Sequence, residues 1–89
     1  MAKISDEMIN ELYKVILSLE TEEDCKLLFA DHCTHKEVEN MAQRVCAARL
    51  LKHGETYSKV SEKTGIASAT LARVSSCLKY GKGYDKFIK

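Results

Sequence analysis

The stretch Tyr57–Val74, YSKVSEKTGIASATLARV, is half Ser, Thr, Ala and Gly, which is thin material for a hydrophobic core. Its order nevertheless predicts two short helices joined by a glycine turn. Thr56 stands where an N-cap hydroxyl can accept an otherwise unpaired amide and open a helix over Tyr57–Thr64. Gly65 then tolerates the positive φ of a tight turn, and a second helix runs from about Ser68 to Lys79. The inward positions are Val60, Ile66, Leu71, Val74 and Leu78, because 71, 74 and 78 fall on one stripe of the second helix. The opposite face carries Ala69, Ala72, Arg73 and Ser76, with Ser68 and Thr70 near its N-terminal end.

Two helices so joined form a helix-turn-helix, and the small side chains then acquire a reason. A recognition helix must bring its backbone close to base edges in the major groove, where Ala and the Thr methyl pack on thymine methyls and hydroxyls bond bases or phosphates. Lys59, Lys63, Arg73 and Lys79 are placed to neutralise phosphates, and Tyr57 and Ser58 complete the candidate DNA-contacting set. An ordinary αα-hairpin packed on a larger core would show the same pattern.

Upstream of this pair, Thr34 and Glu37 have the spacing of a capping box and open a long helix that ends near His53, before Gly54. Val38, Met41, Ala42, Val45 and Ala48 recur at helical spacing, and VCAARLL, residues 45–51, is apolar on nearly every side, as in a segment surrounded by protein. Before it, Thr21 caps a helix reaching about Asp31, with Glu22, Glu23 and Asp24 at the positive end of its dipole. The first helix extends from an N-cap at Ser5 to Leu19, with apolar residues at 8, 9, 12, 15, 16 and 19, widened by Tyr13 and Leu17. An 89-residue domain does not easily cover so broad a face, so part of it is expected to meet another subunit.

The expectation is an all-α chain, a reading with which the absence of proline agrees. It is a single domain, 1–89: a helical dimerisation core over 1–53, the helix-turn-helix over 56–79 and a tail over 80–89. Split after Gln43, the formal charge of +1 separates into −6 and +7, the basic half being the one suited to a polyanion. Cys25, Cys33, Cys46 and Cys77 form no C-x-x-C pair and read as reduced thiols. His32, Cys33 and His35 lack a second ligand pair at zinc spacing, so no metal is expected. No signal-peptide h-region or run of about 18 apolar residues is present, which points to a cytoplasmic protein with no membrane partner. His53, Cys46 and Asp31 form no recognisable nucleophile, base and orienter set, so catalysis is not expected.

The segments THKEVENMAQRV, ARLLKHGETY, TGIASATLAR and SSCLKYG, within Phe29–Lys79 and its flank, resemble the tryptophan-repressor (TrpR) family, more closely its YerC/YecD-type relatives. The resemblance implies an intertwined helical homodimer whose two helix-turn-helix heads reach successive major grooves of double-stranded DNA, as a regulator and by analogy a repressor. Half-sites about one helical turn apart would follow; the tryptophan repressor is itself a standard example of that docking, so the expectation comes from the resemblance. It also implies an effector pocket, with Thr34, Arg44 and Arg73 as counterparts of residues that hold tryptophan. The repressor has glycine where this chain has Val74, whose branched side chain is expected to fill the place of the indole ring. No cofactor is therefore expected, tryptophan included, while a different small effector stays open. Arg44 could instead pair with an acid inside the dimer or touch phosphate. A second class also stays open: a dimeric protein-interaction module that has lost DNA binding, because Ala69, Ala72 and Ser76 lack the Asn, Gln or Lys that usually bonds base edges.

Overall fold

The computed structural model describes residues 5–89, and among them every regular element is a helix. In chain order these are α1 (Asp6–Leu17), α2 (Glu22–His32), α3 (His35–Lys52), α4 (Tyr57–Thr64), α5 (Ser68–Tyr80) and α6 (Gly83–Phe87). The caps lie where hydroxyls were expected to accept first-turn amides. Ser5 accepts from Met8 N at 3.2 Å, Thr21 from Asp24 N at 3.0 Å and Thr56 from Lys59 N at 3.2 Å. α1 stops two residues before Leu19 because Ser18 turns its hydroxyl back to the Val15 carbonyl at 2.6 Å, a local bond that competes with continuation of the helix.

The chain divides into two compact units, one ending at Thr34 and the other spanning His35–Lys89. In the first, the apolar stripe of α1 stays open. Met8, Ile9, Leu12, Val15 and Ile16 are between 37% and 50% exposed, and no residue of α1 or α2 is buried. Met8, Leu12 and Val15 line a groove with Leu28 and His32 of α2.

In the second unit α3 packs on α4 and α5, so the helix grouped by sequence with the first two shares a body with the helix-turn-helix. Its core is Ala47, Ala48, Val60, Ile66, Leu71 and Val74, with Leu50, Leu51, Tyr84 and Ile88 packed around it. Burying Val60, Leu71 or Val74 contributes roughly 1.5–3 kcal/mol each. The 45–51 belt is not wholly enclosed within one chain: Ala47 and Ala48 are buried, whereas Val45 and Cys46 are exposed. The two alanines lie in the core cluster with Val60, Leu71 and Val74 of α4 and α5, and side chains that small let helices approach closely, while Val45 and Cys46 stay outside that cluster.

α6 has no counterpart among the helices expected from sequence. Five residues are too few to hold a helix in water by themselves. Tyr84 and Ile88 anchor it to the core, and Lys52 reaches across from α3 to donate to the carbonyl oxygens of Asp85 at 2.6 Å and Ile88 at 2.8 Å. Gly81, between α5 and α6, leaves no room for a side chain, since a Cβ there would stand 2.6 Å from the Cys77 carbonyl oxygen. Gly81→Ala should therefore cost about 1–3 kcal/mol, read as a lowered midpoint in denaturant titration.

Candidate nucleic-acid interface

The turn between α4 and α5 is built from short-range and long-range pieces. Gly65 is left-handed at φ +70°, which closes α4, and its N–H donates to the Ser61 carbonyl at 2.8 Å. The Thr64 hydroxyl donates to the Val60 carbonyl at 2.7 Å and accepts from Ile66 N at 3.2 Å. From α3, Gln43 Nε2 donates to the Thr64 carbonyl at 3.0 Å, satisfying a terminal acceptor of α4 and pinning the turn to the body. No sequence pattern marks Gln43 for that role, because its partner lies 21 residues away.

Below the turn, Val60, Ile66, Leu71 and Val74 are buried as expected and Leu78 is half-buried. That packing directs the other side of α5 outward. Ser68, Ala69, Ala72, Arg73, Ser76 and Lys79 are exposed, as are Tyr57, Ser58, Lys59 and Lys63 on α4. α5 begins at Ser68, after an N-cap at Ala67 that makes no side-chain hydrogen bond, and it has no acid in its first turn, so no side chain compensates the positive end of its dipole. An anion such as a phosphate suits that end.

Two of the candidate contacts sit differently from a plain outward face. Lys63 is paired with Glu55, its Nζ 3.2 Å from Oε1, which offsets part of its charge toward an external anion. Thr70 is half-buried and, with Arg44, Arg73, Val74, Cys77 and Tyr84, lines a cavity of about 410 Å³. The structure thus brings Arg44, Arg73 and Val74 together. Val74 forms part of the wall of that cavity, 1% exposed, with its side chain packed into the core cluster. Among the described residues no carboxylate pairs with Arg44 or Arg73, so within one chain both guanidinium groups remain available to an anion. Thr34 is exposed and immediately precedes α3. Tyr84 and Cys77 are cavity residues that sequence reasoning missed, whereas Arg44, Arg73 and Val74 were named from the resemblance.

No group of three His, Cys, Asp or Glu gathers as a metal site among the described residues, and no helix of theirs is long and apolar enough to cross a membrane.

Comparison with known proteins adds to this geometry. The family model described as Trp repressor protein matches residues 7–89. The uncharacterised protein YerC of Bacillus subtilis strain 168 is 42% identical over 79 residues, covering 89% of this chain and 76% of YerC. Among solved structures, a candidate Trp repressor from Staphylococcus aureus superposes with a TM-score of 0.87 at 34% identity, over 91% of this chain and 82% of that one. A TrpR-like protein from Eubacterium eligens ATCC 27750 gives 0.86 at 37% identity, over 90% of this chain and 84% of its own.

Proposed function

The chain belongs to the Trp repressor protein family, whose members are DNA-binding regulators, and from that premise we propose that it is a sequence-specific transcriptional regulator acting as a homodimer, by repression. The observation that carries the reading is the outward surface of α5. Small side chains from Ser68 to Ser76 leave the helix slim, an uncapped N-terminus offers amides to phosphate, and Lys59, Arg73 and Lys79 flank it with positive charge. The open apolar stripe of α1 supports the homodimer, because a patch of this kind on a small protein ordinarily meets a partner.

Thr70 and Arg73 are the residues with most to do. Arg73 is exposed and cationic; Thr70 has a methyl and a hydroxyl at the N-terminal end of the helix, the end that enters a major groove. Thr70→Ala should cost about 1–3 kcal/mol of specific binding if that side chain reads a base. The decisive experiment is selection of bound fragments from the source genome, followed by a mobility shift on the enriched sequence. Failure to enrich any fragment would favour the second reading, a dimeric protein-interaction module. That reading is kept by one observation: the face of Ala69, Ala72 and Ser76 is exposed and has no amide or amine for base-edge bonds.

On the effector, the proposal is that tryptophan is not bound with useful affinity. Val74 places a branched side chain in the cavity wall where the repressor has glycine. Calorimetric titration of the protein with tryptophan should show no complex in the micromolar range.

A further inference from the structure

Helix α6 connects two places that lie far apart along the chain: the end of α3 and the wall of the arginine-lined cavity. On one side Lys52, its side chain 30% exposed, places two N–H donors on the carbonyls of Asp85 and Ile88 and stands 3.9 Å from the Asp85 carboxylate. A cation so placed also suits the negative end of the α6 dipole. Beside it, His53 Nε2 is 2.6 Å from the main-chain oxygen of Lys89, which can only accept, so that nitrogen carries the hydrogen.

On the other side, Tyr84 reaches the core cluster and lines the cavity together with Arg44 from α3 and Thr70, Arg73, Val74 and Cys77 from α5. Two of these, Thr70 and Arg73, are also the strongest candidates for touching DNA. α5 is therefore braced between α3 and α6, and α6 is itself tied to α3. A small molecule in that cavity would meet Arg44 of α3 and Arg73 of α5 together. Tyr84 already touches that space, and a covalent tether supplies its ring at an effective concentration on the order of millimolar, above what most free ligands reach.

We propose that docked α6 positions the recognition helix from within the chain, with Lys52 and Tyr84 as positioning residues, so that the head is competent for DNA without a free effector. This rests on the reading of α5 as the recognition helix. A tethered side chain can hold a neighbouring helix without a second molecule, because its effective concentration does not depend on supply.

The test uses the whole protein and its selected DNA fragment, with hydrogen exchange of the Gly83–Phe87 amides measured alongside. Lys52→Met and Tyr84→Ala should each speed exchange in α6 and weaken DNA binding about tenfold, with the melting transition of α3–α5 retained. The slope of log affinity against log salt should not change, because neither residue is asked to neutralise a phosphate. Lys52→Arg and Tyr84→Phe should restore both readouts. Faster exchange in α6 with unchanged affinity would overturn the proposal, as would unchanged exchange in both disruptive variants. A salt slope lowered by about 0.9 per lost Lys52 would also overturn it, by making that residue a phosphate contact. If the unaltered protein binds no fragment, the regulator reading itself fails, which is a different result from a variant that binds normally.

Discussion

Leu71→Ala is expected to lower the stability of the protein by about 2–5 kcal/mol. Leu71 is 2% exposed and is the largest of the fully buried side chains, sharing its cluster with Ala47, Ala48, Val60 and Val74. The alanines opposite cannot swell to fill the space, so a cavity would persist. A domain of this size is ordinarily stable by only about 5–15 kcal/mol, and the loss should appear as a markedly lower urea midpoint with little change in slope. Ser76→Ala, one turn further along α5 on the exposed face, should stay within about 0.5 kcal/mol of the unaltered protein. Equal effects of the two would mean that α5 does not pack through its 71–74–78 stripe.

DNA affinity should fall steeply with salt, by about 10³–10⁵ between 50 and 200 mM if the dimer neutralises six to ten phosphates. Arg73→Ala should weaken binding on this account and lower the salt slope by roughly 0.9 for each phosphate lost, twice per dimer. The ion pair between Lys63 and Glu55 adds a distinguishing case. Glu55→Gln frees the ammonium and removes a nearby negative charge, so it should strengthen binding and steepen the slope, where removal of an unrelated surface acid would act only weakly. Fluorescence anisotropy titrations of labelled duplex across four salt concentrations give both quantities. An Arg73→Ala protein with unaltered affinity and slope would remove that side chain from the interface.

Helix boundaries were legible because the physics that sets them is local. Thr56, Gly65 and the 71–74 stripe are read within a few residues of where they act, and α4 begins and ends at the expected residues while α5 runs one residue further, to Tyr80. α1 ran short for an equally local reason, the back-bonding of Ser18 to Val15, but one that competes with the apolar pattern instead of announcing itself. The exposed side of α5 was legible as a face; the half-burial of Thr70 was not, since it depends on what α3 and α6 bring alongside.

By itself the sequence determined the all-helical class, the helix-turn-helix and which side of α5 turns inward, because capping hydroxyls, a glycine at positive φ and 3.6-residue periodicity act over a turn or two of chain. Only the tertiary structure decided that α3 shares a body with α4 and α5, that Gln43 pins the turn, that Glu55 holds Lys63, and that Lys52 and Tyr84 dock a tail helix too short to form alone. Those are meetings of residues mostly twenty or more positions apart, and they exist because burying Ala47, Val60, Leu71 and Val74 in one cluster carries the surrounding side chains into reach of one another.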